Sequence, residues 1–233
     1  MKILSVDTSA QVAGAAVYDG EKLLADFNVN AGLTHSQTLM PLCEAALSSA
    51  GLTVGEIDAF AVSAGPGSFT GIRIGVSAIK GLAAASGKPC IPVSTLEGMA
   101  YNFPAEEGIL CCVMDARCKQ VYNALFRWEN GTLRRLCDDR ALSIKDLGED
   151  LLKFDEKIFL IGDGADLCYN ELKGVLPLLR QVPPHLRLQR AASVALAAWP
   201  RAEEGKTCSA AELMPIYLRL PQAERELLQK QKK

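Results

Sequence analysis

Two segments carry residue types that could do chemistry: Asp7-Thr8-Ser9, and the run Gly65-Pro66-Gly67-Ser68-Phe69-Thr70-Gly71-Ile72-Arg73-Ile74-Gly75. The second follows a strand-like stretch, Ile57 to Ala64, and opens into a helix-like one, Thr70 to Ser86. A glycine-rich turn between strand and helix has the outline of a phosphate loop, but the spacing departs from one. A Walker loop needs a second Gly followed by Lys and Ser/Thr, so that a lysine reaches the outer phosphates. Counted from Gly65 that Gly falls on Thr70, with Gly71 in the lysine's place; counted from Gly67 it falls on Ile72. The dinucleotide fingerprint fails too, because Thr70 stands where its third Gly belongs. The turn reads as tight backbone geometry with Ser68 or Thr70 as N-cap. Anion binding by free N–H groups at the helix start is the alternative.

Other chemistries lack their parts. His35 and His185 are the only histidines, so no His-Glu-x-x-His or paired-histidine metal motif exists, and no Cys-x-x-Cys occurs. The eight cysteines are scattered, several in apolar stretches (Cys43, Cys90, Cys111, Cys112), and read as small reduced core residues. Neither histidine has the context of a Ser or Cys triad. The 233 residues carry a formal charge of −2, which argues against a surface that grips nucleic acid throughout. An acidic residue at position 7 is too early for a signal peptide, and no run approaches the ~18 apolar residues of a membrane span, so a cytosolic protein is expected.

The elements that must position these segments repeat in order. Lys2 to Val6 reads as a strand, followed by Val12 to Val17, an Asp19-Gly20 hairpin turn and a return strand from Lys22 to Val29. A helix near 36–50 comes next, disturbed at its start by Pro41, then a fourth strand, the glycine turn and the second helix. Pro89 to Val93 adds a strand, and Ser94 caps a short helix. The second half echoes this: Ile109 to Met114, Asp115-Ala116-Arg117, Gln120 to Phe126, Asn130-Gly131, Leu133 to Cys137, a helix capped by Ser143, Lys157 to Ile161, Gly162-Asp163-Gly164 and another helix. The expected fold is a duplicated α/β unit, three antiparallel strands and a parallel crossover in each half, with helices on the sheets. A helix over 191–204, an extended stretch from Pro215 to Leu220 and a last helix from Pro221 to Lys230 close the chain.

The helix from 70 to 86 has two charged residues, Arg73 and Lys80, too few for a helix lying between a sheet and water. Ile72, Val76, Ile79, Leu82 and Ala83 make one stripe; Gly71, Ile74, Ser77, Ala78, Gly81 and Ala85 make another, small and smooth. Interior helical Gly costs about 1 kcal/mol relative to Ala, so these glycines need a packing reason. Either a neighbouring element of the same chain fills the second stripe or another protein does.

Together these residues resemble a known family. Asp7 at the end of the first strand of a duplicated unit is similar to the actin/Hsp70/sugar-kinase (ASKHA) superfamily. More narrowly, Asp7-Thr8-Ser9, Thr34-His35-Ser36, Gly65 to Gly75, Ser94-Thr95-Leu96-Glu97, Asp115-Ala116-Arg117 and Pro215-Ile216-Tyr217-Leu218-Arg219 resemble the bacterial TsaB (YeaZ) proteins. The resemblance implies two ASKHA lobes, 1–103 and 104–212, with 213–233 packed back on the first. It implies a non-catalytic subunit in the synthesis of N6-threonylcarbamoyladenosine at position 37 of tRNAs that read codons beginning with A. The transferase TsaD would be the direct partner, the ATPase TsaE would belong to the complex, tRNA would be met through the complex, and a homodimer would form without TsaD. The partner-facing residues would be Met40, Gly71, Ile74, Ser77, Ala78 and Gly81. Asp7, Thr8, Ser9, Gly65, Gly67 and Ser68 would form a nucleotide-binding or purely structural loop. No metal or cofactor is expected, because one carboxylate beside two hydroxyls is a poor magnesium site. Asp115 and Arg117 would pair with each other or with TsaD. The other readings are a small ATP-binding phosphotransferase using Asp7, and a peptidase.

Overall fold

The computed structural model describes residues 1–105 and 107–219. The last expected helix, from Pro221, and the end of the returning segment lie outside the described residues. The first half forms β1 (Ile3–Asp7), β2 (Ala13–Tyr18), β3 (Leu23–Val29), α1 (His35–Ser49), β4 (Ala59–Gly65), α2 (Phe69–Ser86), β5 (Cys90–Ser94) and α3 (Thr95–Ala100). The second forms β6 (Ile109–Asp115), β7 (Gln120–Glu129), β8 (Thr132–Arg135), β9 (Arg140–Ser143), α4 (Ile144–Leu151), β10 (Ile158–Ile161), α5 (Ala165–Leu172), β11 (Leu179–Gln181), α6 (Pro184–Arg187) and α7 (Ala191–Glu203).

The two sheets repeat one topology. The first runs β3-β2-β1-β4-β5, the second β11-β10-β6-β7-β8, with β9 also pairing with β7. In each, the first strand (β1 or β6) is antiparallel to the second (β2 or β7) and parallel to the strand that follows α1 (β4) or α4 (β10). This is the duplicated ASKHA fold. β1 and β4 are buried along their whole length, as strands covered on both faces must be. The Asp19-Gly20 turn closes through Asp19 Oδ1, which accepts from the N–H of Glu21 and of Lys22. Asn130 and Gly131 both take positive φ, 51° and 75°, the geometry of a two-residue hairpin turn. α1 keeps Pro41 inside it and begins at His35, a turn earlier than a proline at that position suggests.

Alternating residues divide each sheet between two cores. In the first sheet Leu4, Val6, Phe60 and Val62 face α1 and α2, with Ile72, Val76, Ile79 and Ala83 opposite them. Ile3, Ala59, Ala61, Ile91 and Val93 face the other way, onto Val194, Ala197 and Ala198 of α7. In the second sheet Ile109, Cys111 and Val113 face α4 and α5, while Leu110, Cys112 and Met114 face Leu96, Met99 and Ala100 of α3. Each half thus lends a helix to the other's sheet. The sequence placed α7 within 104–212, yet it lies on the first sheet, where Ser5 Oγ donates to the Ala191 carbonyl at 2.7 Å. The seam between halves is polar at its rim. Glu97 Oε2 accepts from Arg135 at 2.9 Å and Arg201 at 2.7 Å, and Asn102 Nδ2 donates to the Leu186 and Leu188 carbonyls.

Candidate functional site

Asp7 ends β1 at the point where the chain turns toward β2. Its side chain is 2% exposed. Oδ1 accepts from the Ser9 N–H at 2.8 Å and the Ser9 hydroxyl at 2.6 Å, while Oδ2 accepts from Ser63 Oγ. Burial raises its pKa, and the bonds from Ser63 and Ser9 oppose the rise. The ASKHA resemblance implies a magnesium–nucleotide complex beside this residue. The donor set does not fit one: both Asp7 oxygens are committed to the protein's own serines, and no cluster of three His, Cys, Asp or Glu side chains that could hold a metal occurs among the described residues. Ser63 is a partner the sequence reading missed. Its signal was a lone hydroxyl in the apolar run of β4.

The glycine turn is shaped by backbone that passes against it. A Cβ on Gly65, at φ +132°, would strike the Ile216 carbonyl, and Ile216 N–H donates to the Ala64 carbonyl at 2.7 Å. A Cβ on Gly67 would strike the Ser9 carbonyl. Ser68 caps α2 by accepting from Gly71 N–H at 3.2 Å, and Ser68 N–H itself donates to the Ser9 carbonyl at 2.7 Å. Thr8 Oγ1 donates to the Gly71 carbonyl at 2.8 Å. The acidic turn and the glycine turn are therefore one interlocked unit. His35 joins it from the start of α1, donating Nε2–H to the Ala10 carbonyl at 2.7 Å.

Beyond this unit lies a cleft of about 610 Å³. Ser9, Ser68, Asp115, Arg117, Asp163 and Arg219 are among its walls, so both acidic turns and both glycine turns meet there. Asp115 Oδ1 accepts from the Arg117 N–H at 2.7 Å, an Asx turn rather than an ion pair. Burial pushes Asp163 up to about 6, against a bond from the Gln189 amide. Arg219, also in the cleft wall, donates to the Ala116 carbonyl at 2.8 Å.

α2 presents two different surfaces. Gly71 does not belong to the outward stripe: it is buried, and a Cβ there would collide with the Thr8 carbonyl. Ser77 and Gly81 are exposed, and a Cβ on Gly81 would meet nothing within 4 Å. Ile74 and Ala78 are half-buried, their inner sides packed on the core. The chain's own C-terminal segment does run along α2, but on another flank. Lys80 Nζ donates to the Ala211 and Leu213 carbonyls, Arg73 Nε donates to Tyr217 Oη at 2.8 Å, and Tyr217 stacks on Phe69 at 4.8 Å. Leu213 is fully buried in the core of the first sheet. Among the described residues, the strip through Ser77 and Gly81 stays open. On its other side, Leu82 and α1 residues Met40, Cys43 and Leu47 line a groove of about 530 Å³, with Met40 45% exposed.

Known proteins resemble this chain in sequence and fold. Residues 29–227 match the family model described as TsaD: tRNA N6-adenosine threonylcarbamoyltransferase. The chain is 30% identical over 239 residues to the tRNA threonylcarbamoyladenosine biosynthesis protein TsaB of Bacillus subtilis (strain 168), covering 100% of both. It is 30% identical over 222 residues to the protein of the same name from Escherichia coli (strain K12), covering 94% of this chain and 95% of that one. The structure of YeaZ from Pseudomonas aeruginosa superposes with a TM-score of 0.80 at 26% identity, covering 93% of this chain and 99% of that one. No helix of the described residues is long and apolar enough to cross a membrane. Identity over the full length and the superposed fold agree: the chain belongs to the TsaB (YeaZ) family of tRNA threonylcarbamoyladenosine biosynthesis proteins.

Proposed function

We propose that this protein is a non-catalytic cytosolic subunit of the machinery that makes N6-threonylcarbamoyladenosine at position 37 of tRNA, and that it binds and supports the TsaD transferase through the outer face of α1 and α2. The observation that carries this reading is the open strip of small residues on α2, continuous with the apolar groove at Met40 and Leu82. Small residues let a second helix approach closely, and the groove receives larger side chains from it. Where TsaD is absent, a second copy of the chain covers the same face, since an apolar surface of this kind is seldom left bare. TsaE and tRNA are met through the complex. The committed oxygens of Asp7 support the non-catalytic part of the reading.

Gly81→Leu tests the face. The new side chain points into open space in the free protein, so its fold is kept, but it overfills a close helix contact at a cost of about 1–3 kcal/mol. Affinity for TsaD, measured by titration calorimetry, is expected to fall roughly 5- to 150-fold. Unchanged affinity with an unchanged melting temperature would remove this face from the interface. The cleft of about 610 Å³ leaves an ATP-binding phosphotransferase as the second reading. Tight magnesium-dependent ATP binding by the isolated chain, abolished by Asp7→Asn, is the result that would promote it.

A further inference from the structure

Cys90 opens β5, an edge strand of the first sheet. Across its open edge runs the segment that follows α7, and the residue opposite Cys90 is Cys208. The two exchange both backbone hydrogen bonds. Cys90 N–H donates to the Cys208 carbonyl at 2.8 Å, and Cys208 N–H donates to the Cys90 carbonyl at 2.9 Å. A doubly bonded antiparallel pair holds its Cα atoms about 5.5 Å apart, with both side chains on one face of the sheet. Disulfides span Cα separations of about 4.4–6.8 Å. Both side chains belong to the apolar cluster beneath α2, and both are free thiols. The Cα separation suits a disulfide; the Cβ atoms of a hydrogen-bonded pair stand about 5.5 Å apart, so the sheet edge must draw in by about 1 Å for the sulfurs to join.

We propose that Cys90 and Cys208 are a redox modification site, closing to a reversible disulfide that staples the C-terminal segment to the edge of the first sheet. This is independent of the docking face on α2. Cys208 is half-buried and Cys90 wholly buried, so Cys208 is the point of entry. The oxidant is a low-molecular-weight disulfide such as oxidised glutathione. Cys208 loses its proton and its thiolate attacks one sulfur of that disulfide; the small S–S bond breaks and the first small thiol leaves with a proton. Cys90 then loses its proton and its thiolate attacks Cys208 Sγ; the mixed disulfide breaks and the second small thiol leaves. Two electrons pass from the protein to the small disulfide, and the protons balance. Burial pushes the Cys90 thiol up to about 11 and also raises that of Cys208, so closure is slow at neutral pH and faster in mild alkali. The staple matters because the stretch beyond Cys208 carries Leu213 into the core, Ile216 across Gly65 and Tyr217 onto Phe69.

The test is to incubate the native full-length chain with oxidised glutathione at pH 8.5, block remaining thiols by alkylation, digest, and map peptides by mass spectrometry. Exposed Cys118 is the internal control that the oxidant acts. The expected product is a Cys90–Cys208 cross-linked peptide pair two hydrogens lighter than the separate peptides, reopened by dithiothreitol and absent in both Cys90→Ser and Cys208→Ser. Glutathione on Cys118 with Cys90 and Cys208 recovered as alkylated thiols would overturn the proposal. So would a stable glutathione adduct on Cys208 with no cross-link.

Discussion

Burial and hydrogen bonding pull the Asp7 carboxylate in opposite directions, and burial wins. Asp7→Asn keeps an oxygen toward Ser9 and turns an amide toward Ser63, whose hydroxyl can accept. It removes a buried charge and leaves the turn intact. Asp7→Ala instead strands three donors, the N–H and hydroxyl of Ser9 and the hydroxyl of Ser63, and is expected to cost at least about 2 kcal/mol in urea denaturation. Asp163 supplies a pH dependence that a single substitution can isolate. Its folded pKa stands raised to about 6, against 3.8 as the ordinary value. Raised means that the folded state holds the proton more tightly. The contribution is full below about 4 and is lost as pH climbs through about 6. Asp163→Asn, which cannot ionise, should therefore gain on the wild type between pH 4.5 and pH 7.5. The gain is on the order of 1–3 kcal/mol, measured as the difference in urea unfolding free energies. A flat difference would contradict the buried ionisation.

At the scale of elements, α2 separates what a sequence can disclose from what it cannot. Its span to Ser86 and a hydroxyl cap at Ser68 or Thr70 were legible, because capping chemistry is local; the structure gives the cap to Ser68 and the left-handed stop to Gly87. The faces were legible only in part. Gly71 and Gly81 look alike as letters in one smooth stripe, yet one is pinned beneath the Thr8 carbonyl and the other opens on solvent. That distinction depends on where the Asp7 turn lies, a contact between segments far apart in the chain. The consequence can be measured. Gly81→Ala should stabilise the protein by up to about 1 kcal/mol, the helical preference for Ala. Gly71→Ala should destabilise it by about 1–3 kcal/mol, because the turn must shift to admit a methyl group. Thermal melts of the pair check both signs. Short strands were hidden for a related reason. β9 and β11 have only four and three residues, too few for alternation to emerge, and they exist because β7 and β10 offer them edges. The acidic and glycine turns were legible as candidates; that they lock each other was not.

For the whole molecule, the exchange of α3 and α7 between sheets makes the halves mutually dependent. Trp199 belongs to α7 over the first sheet, and Trp128 packs in the core shared by α3 and the second sheet. Two variants with a single tryptophan each, Trp128→Phe and Trp199→Phe, are expected to show coincident urea midpoints by fluorescence once corrected for the substitutions' own costs. Separated transitions would mean that the lobes unfold independently. The order of elements gave away the duplication, since a topology repeated in sequence order is visible without contacts. The swap was invisible, because α7 reads as apolar on several sides whichever sheet it covers.

That exchange also sets a timetable for synthesis. When the ribosome has made the first half, Ile3, Ala59, Ala61, Ile91 and Val93 present a bare greasy wall, since the helix that roofs them is encoded about a hundred residues later. At translation rates of about 5–20 residues per second, the wall stays wet for roughly 5–20 s on every nascent chain. Newborn copies are then most in need of chaperone shelter, and a ribosome stalled between Thr95 and Ala191 would leave behind a half-protein prone to clump.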